Sequence, residues 1–233
     1  MRLAVIPARG GSKRIPRKNI RTFGGLPIIA WSIRAAMRSA CFDRIIVSTD
    51  DAEIAEVAKE YGAEVPFLRP TELSDDHTGT IPVVAHAIRW HVGEGAPARE
   101  VCCIYATAPF VRASDVRLGL EMLRATEADF AFSVTSYAFP IHRALRITAG
   151  HRVAMFQPEH LGSRSQDLEE AWHDAGQFYW GRSEAWLENK PVFGQGSVPV
   201  FLPRHRVQDI DTPEDWERAE CMFRVLNADT GSE

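Results

Sequence analysis

Apolar positions along the chain follow two alternating periods. Leu3-Ala4-Val5-Ile6 is a short continuous run that breaks at Pro7, Arg9 and the pair Gly10-Gly11, which predicts a buried strand entering a glycine-rich turn. Pro27 then opens a helix whose apolar positions Ile29, Ile33 and Ala36 fall at helical spacing, with Pro27 near its first position. Asp43 to Asp50 predicts a second buried strand with a polar tip, Asp51 to Tyr61 a helix and Glu64 to Leu68 a short strand. A loop rich in Thr, Ser and Asp runs from Arg69-Pro70 to Gly79, and a helix follows over Thr80–Val92, with Val84, Ile88 and either His91 or Val92 on one face. Val101 to Ala106 is continuously apolar, as expected of a strand covered on both sides. Ser114 reads as the cap of the next helix, in which Val116, Leu120 and Leu123 face inward.

Strand and helix patterns therefore alternate, which predicts an α/β fold around a mostly parallel sheet. The rhythm breaks after the strand Phe130–Ser136. From Tyr137 to Asp174 the chain is extended, polar and without helical period, and is read as an inserted arm standing off the sheet, within a single domain of residues 1–233. The core pattern resumes at Gln177–Gly181 and Ser197–Leu202. A last helix is marked by Thr212 as cap, Pro213 at its first position and Asp215 three residues after the cap. Its apolar stripe is Trp216, Ala219, Met222 and Phe223, and a frayed tail is expected from Asn227.

Composition narrows the class. With 233 residues, 45% apolar and 25% charged, the chain is an ordinary globular protein with one sizeable core. Its four cysteines show no metal-ligand spacing, so reduced thiols and a cytosolic protein are expected. No apolar segment approaches the ~20 residues of a membrane span, and the first run is too short, and too soon interrupted, for a signal peptide. The net charge of −4 gives no reason to expect nucleic acid. Against that charge, Arg9 to Arg21 holds six basic residues and no acid. A solvated basic loop and an anion site are both compatible with charge alone. The strand-to-glycine junction, which exposes backbone N–H groups, favours a polyphosphate. Neither GxxxxGK[ST] nor GxGxxG is present, which argues against Walker-type and dinucleotide sites, and no GxSxG or HExxH suggests a hydrolase.

Gln208-Asp209-Ile210-Asp211-Thr212 places two acids two residues apart, on one face of an extended segment. Such a pair suits a hard divalent cation, or else serves a helix N-terminus; spacing leaves both open. Ser48-Thr49-Asp50 ends a strand, and Asp50 reads as a cap for the helix after it. His77 reads as a plain loop histidine.

Several of these stretches together resemble the CMP-sialic acid synthetases. Ile6-Pro7-Ala8-Arg9-Gly10-Gly11-Ser12-Lys13, followed by Lys18-Asn19, is similar to that family's amino-terminal signature, and Asp209-Ile210-Asp211-Thr212 to its magnesium motif. The resemblance covers nearly the whole chain. It implies a Rossmann-like nucleotidyltransferase sheet, an arm contributing to a homodimer, CTP as one substrate and a nine-carbon sugar acid as the other. It implies nucleotide contacts from Ala8, Arg9, Gly10, Gly11, Ser12, Lys13, Asn19, Arg69 and Thr80, catalytic roles for Arg9, Lys18 and Asp211, and Mg²⁺ on Asp209 and Asp211. Sugar contacts would come from Tyr105, Arg164, Gln166, His173, Gln177 and Tyr179. Where sialic acid enzymes carry glutamine in the loop Tyr105–Phe110, this chain has Tyr105; where they have arginine and asparagine, it has His173 and Ala175. These departures, and the run His173-Asp174-Ala175-Gly176-Gln177-Phe178-Tyr179-Trp180, resemble the branch that activates pseudaminic acid for surface-glycan or flagellin glycosylation. N-acetylneuraminate, legionaminate or KDO is the alternative sugar. A polyanion-binding module without turnover, marked by steep salt dependence, is an alternative of another class; an idle scaffold is disfavoured by the intact acid pair.

Overall fold

A computed structural model describes residues 1–228. The elements in order are β1 (Arg2–Pro7), β2 (Thr22–Phe23), β3 (Leu26–Pro27), α1 (Ile28–Ser39), β4 (Arg44–Ser48), α2 (Ala52–Glu60), α3 (Thr80–Gly93), β5 (Glu100–Ile104), α4 (Ala113–Ala125), β6 (Phe130–Ser136), β7 (Leu145–Ile147), β8 (Val153–Met155), β9 (Trp172–Arg182), α5 (Ser183–Leu187), β10 (Ser197–Phe201) and α6 (Pro213–Ala228). Six strands form one sheet in the order β10-β6-β9-β5-β1-β4. β1 pairs parallel with β4 and β5, and β10 pairs parallel with β6. β9 runs antiparallel between β5 and β6.

Strand alternation decides which helix each side chain meets. Ala4, Ile6, Cys102, Ile104, Phe178 and Trp180 pack on one face with residues of α1, α2 and α4. Leu3, Val5, Val101, Cys103 and Tyr179 pack on the other with α3 and α5. Cover on both faces explains why β1 and β5 read as unbroken apolar runs. A third, smaller cluster joins Ile15, Phe23, Phe110, Ile210 and Trp216, and it docks α6 against the amino-terminal loop.

Several boundaries differ from expectation. Pro27 is the residue before α1 and pairs with Thr22, so the helix begins at Ile28. Asp51, not Asp50, caps α2, accepting from the Ile54 N–H at 3.0 Å. The stretch Glu64–Leu68 makes only two isolated bridges, to Ile46 and Thr49. Arg112 occupies the cap position of α4, and Ser114 lies inside the helix with no side-chain cap bond to make. His91 rather than Val92 is buried on α3. Thr212 and Asp215 form a reciprocal cap at α6: the Asp215 N–H donates to Thr212 Oγ1 at 3.2 Å, and the Thr212 N–H donates to Asp215 Oδ2 at 2.8 Å. The expected fraying from Asn227 falls mostly outside the described residues.

The excursion after β6 is extended and holds the β7–β8 hairpin, but it ends earlier than the sequence suggests. β9 already starts at Trp172 and pairs Ser136↔Trp172, Thr135↔His173 and Val134↔Asp174, so the final three residues of the expected arm belong to the central sheet. The polarity of His173 and Asp174 masked a sheet position because this end of β9 lines cavities rather than core. All four cysteines are free, and among the described residues no helix is long and apolar enough to cross a membrane.

Candidate active site

The carboxyl ends of β1 and β5 converge on a cleft of about 510 Å³, the usual ligand position in an open α/β sheet. After β1 the Ala8 N–H is tied to the Ser48 carbonyl at 2.9 Å, and buried Ile15 anchors the far side of the loop in the third cluster. Arg17 takes the left-handed backbone conformation (φ 55°) that turns the chain into the short helical turn Lys18–Ile20. Arg9, Ser12, Lys13, Arg14, Lys18 and Asn19 thereby line the cleft; Ala8, Gly10 and Gly11 do not. Asn19 donates its side-chain amide to the Arg9 carbonyl at 2.9 Å, bracing the loop from inside. Gly10 sits so close to Asp51 that a Cβ would lie 2.6 Å from its Oδ2, and its N–H is taken by Asp50 Oδ1 at 2.9 Å. The tip of β4 therefore holds the glycine turn in place, and the Gly10 amide expected to face phosphate is already engaged.

The cations meet two acids. Arg9 Nη1 donates to Asp76 Oδ1 at 2.6 Å and to the Asp75 carbonyl at 2.8 Å, and Lys13 pairs with the same Asp76 carboxylate. These contacts hold the Asp76 carboxyl below the usual range, Lys13 contributing most and Arg9 next. Arg14 reaches Asp211 at 3.0 Å, and Lys18 donates to the Ile210 carbonyl at 2.7 Å and approaches Asp211 Oδ1 at 3.4 Å. The amino-terminal loop and the segment before α6 thus face each other across one cleft, as a shared phosphate site requires. Arg17 points elsewhere, to Asp51 at 2.5 Å and to Glu53. Asp76 was missed in the sequence; its only signal is an acidic run, Asp75-Asp76, in a loop that must pass near a basic one.

The opposite wall carries Thr78, Thr80, Tyr105 and Thr107, with Arg69 behind them. Arg69 is 7% exposed; its terminal nitrogens donate to the Ser48 carbonyl at 2.6 Å and the Leu73 carbonyl at 3.3 Å. Its Nε has no hydrogen-bond partner among the described residues, and burial lowers its pKa. Tyr105 also lines two adjoining cavities. One, of about 320 Å³, is walled by Ile81, Tyr179, Trp186, Val192 and Phe193 with Asp174. The other, of about 350 Å³, is walled by His173, Asp174, Gln208 and Asp209. Of the expected sugar contacts, Tyr105, His173 and Tyr179 border these spaces. Gln177 is buried beneath them, its Nε2 donating to the Arg206 carbonyl at 2.6 Å. Arg164 and Gln166 lie in the excursion, where Arg164 pairs with Asp167 at 2.7 Å, and neither borders the cleft or its two side cavities.

The two acids before α6 divide between neighbouring spaces: Asp211 faces the cleft, and Asp209 the cavity across Tyr105. Partial desolvation, and after it the Asp211 charge, raise the Asp209 carboxyl above the usual aspartate range. Among the described residues no group of three or more metal-binding side chains occurs. Mg²⁺ is commonly held by one or two carboxylates with substrate phosphates and waters completing its shell; here Asp211, the acid that faces the cleft, is paired with Arg14 and Lys18.

A family model described as cytidylyltransferase matches residues 3–197. The chain belongs to the cytidylyltransferase family. Among relatives of this cytidylyltransferase, the pseudaminic acid cytidylyltransferase of Campylobacter jejuni is 46% identical over 223 residues, 96% of each chain. The CMP-N,N'-diacetyllegionaminic acid synthase of Legionella pneumophila is 33% identical over 230 residues, again 96% of each. A solved structure of CMP-2-keto-3-deoxy-manno-octonic acid synthetase complexed with CTP superposes with a TM-score of 0.70 at 16% identity, over 97% of this chain and 99% of that one, a likeness of fold.

Proposed function

We propose that this cytidylyltransferase joins CTP to a nine-carbon α-keto sugar acid of the pseudaminic class. The anomeric oxygen forms a bond to the α-phosphorus, the bond from that phosphorus to the β-phosphate oxygen breaks, pyrophosphate leaves and the hydroxyl proton passes to solvent. The observation that carries this reading is the meeting of Arg9, Lys13, Arg14 and Lys18 with Asp211 in one cleft at the carboxyl edge of the sheet.

The chain's task in such a transfer is positioning and charge neutralisation. The cations now paired with Asp76 and Asp211 would hold the β- and γ-phosphates and the departing pyrophosphate. The triphosphate must displace Asp76 from Arg9 and Lys13 to do so. Asn19 keeps the Arg9 backbone in place, and Arg69 with Thr80 faces the nucleoside. Mg²⁺ on Asp209 and Asp211 would supply Lewis-acid charge stabilisation at the phosphate. The side cavities bordered by Tyr105, His173 and Tyr179 would take the sugar acid. The higher identity to the pseudaminic than to the legionaminic relative favours the former sugar. The excursion leaves Phe139, Ile147, Phe156 and Leu161 exposed and is the surface through which a second subunit would bring Arg164 and Gln166 towards a neighbouring site.

The test is a panel: purified protein with Mg²⁺, CTP and each of pseudaminic, legionaminic, N-acetylneuraminic and KDO acids, read by pyrophosphate release. Turnover strongest with pseudaminic acid is expected. Arg9→Ala and Asp211→Ala should each lose ~10²–10³ in rate while the protein stays folded. Pyrophosphate release with none of the acids would refute the reading.

A further inference from the structure

A second hollow, of about 320 Å³, lies between α1, the loop after β5, the start of α4 and the end of α6. It shares no lining residue with the cleft. Three rings line it: Trp31 and Phe223 meet edge-on with centroids 4.7 Å apart, and Phe110 lies 6.2 Å from Phe223. Arg34, Arg38, Arg112 and Arg206 line it as well, and no acidic residue does. Arg206 is only 7% exposed, and Asp115 holds its guanidinium at 2.5 Å. Arg34 lies 6.0 Å from the Trp31 ring centroid and 5.8 Å from that of Tyr61. Arg38 and Arg112 are exposed. Elsewhere on the surface guanidiniums find carboxylates, as Arg2 does at Asp43, Arg44 at Glu64 and Arg124 at Glu100. Among the described residues Arg34, Arg38 and Arg112 form no ion pair.

We propose that this hollow is a second ligand site and takes a nucleoside monophosphate, its base among Trp31, Phe110 and Phe223 and its phosphate on Arg38, Arg112 and Arg206. Like charges gathered round one hollow repel one another, and a seated anion relieves that repulsion. A phosphate monoester carries nearly two negative charges at neutral pH and three acceptor oxygens, so it can engage several guanidinium forks where a carboxylate satisfies one. Arg206 is the preorganised member of the set: its partner Asp115 and its burial fix it before any ligand arrives. The rings argue for a flat heterocycle, since every base has a face on which aromatic side chains and guanidiniums stack. Size argues the same way. A volume of about 320 Å³ is at the small end of ligand pockets, which run from ~300 to ~1,000 Å³, and suits one base and one phosphate rather than a dinucleotide. Because the hollow and the cleft have separate walls, this assignment does not depend on the CTP reading.

The experiment is calorimetric titration with AMP, GMP, CMP and UMP, each alone, and with ribose 5-phosphate as the probe that lacks a base. Three proteins are compared: wild type, Arg9→Ala, whose change is in the cleft, and the double variant Arg38→Gln with Arg112→Gln, whose changes are in exposed side chains of the hollow. At least one nucleoside monophosphate should bind wild type and Arg9→Ala within twofold of each other. The double variant should bind it at least tenfold more weakly, through loss of two charged donors. Ribose 5-phosphate should bind wild type at least tenfold more weakly than the nucleotide. Four results would each overturn the assignment: no binding of any monophosphate by wild type; binding that the double variant keeps; binding that Arg9→Ala loses, which belongs to the cleft; and ribose 5-phosphate bound as tightly as the nucleotides, which marks a basic patch with no place for a base.

Discussion

Lys18 is where the two halves of the cleft are fastened, and replacing it tests the geometry most directly. Its side chain is only 18% exposed, and its Nζ bridges the Ile210 carbonyl at 2.7 Å and Asp211 at 3.4 Å. Lys18→Met keeps the aliphatic stem and removes the charge. A hydrogen bond from a charged donor contributes about 1.5–3 kcal/mol. The longer contact to the 40%-exposed Asp211 adds under about 1 kcal/mol. Together these give a loss of about 1.5–4 kcal/mol, or about 3–16 °C in melting temperature for a chain of this size. If the same ammonium also faces developing phosphate charge, kcat/KM should fall by ~10²–10³. The assay is pyrophosphate release over a CTP series at a temperature where the variant is fully folded, alongside a melting curve. Asp211→Asn, alone and with Lys18→Met, measures the coupling between the two groups. A folded Lys18→Met enzyme within threefold of wild-type kcat/KM would refute the placement of Lys18 at the reaction.

Other perturbations follow from contacts around the site. Asp115 and Arg206, side chains 13% and 9% exposed, pair at 2.5 Å beneath Gln177; Asp115→Ala should cost about 3–5 kcal/mol in chemical denaturation, because Arg206 is left buried and unpaired. Gly181→Ala would set a Cβ 2.4 Å from Trp186 Nε1 and 2.7 Å from the Phe130 ring, and should destabilise by about 1–3 kcal/mol in the same measurement. Asp51 has its carboxyl held below the ordinary aspartate value of 3.8, first by the Arg17 hydrogen bond and further by the Ile54 N–H. A lowered folded-state pKa stabilises above 3.8, and the effect fades as pH falls through the folded value. Asp51→Asn should therefore be less stable than wild type by up to about 1 kcal/mol at neutral pH, with the gap closing below pH 3.8 in a pH series of melting curves.

The fold was readable wherever burial was two-sided or periodic. β1 and β5 were plain as unbroken apolar runs, and α6 as a capped amphipathic segment, because a single physical demand governed each. Errors arose where two demands competed. His173 and Asp174 are in the central sheet but line cavities, so their polarity read as an arm. Asp50 and Asp51 are adjacent acids at a strand tip, and only the fold shows that one holds Gly10 while the other caps α2. The basic loop was conspicuous, but its acidic counterpart Asp76 was not, because an ion pair across 63 residues leaves no spacing pattern.

The contact between Lys18 and the Ile210 carbonyl spans 192 positions of sequence. During synthesis β1, β4 and β5, and the helices between them, emerge long before that partner does. A ribosome-bound chain can therefore pair β1, β4 and β5 while its substrate groove still lacks a wall. With Asp211 at the reaction as proposed, turnover should begin only after α6 has docked, and the first appearance of activity in a translation time course should mark completion of the molecule rather than collapse of its core.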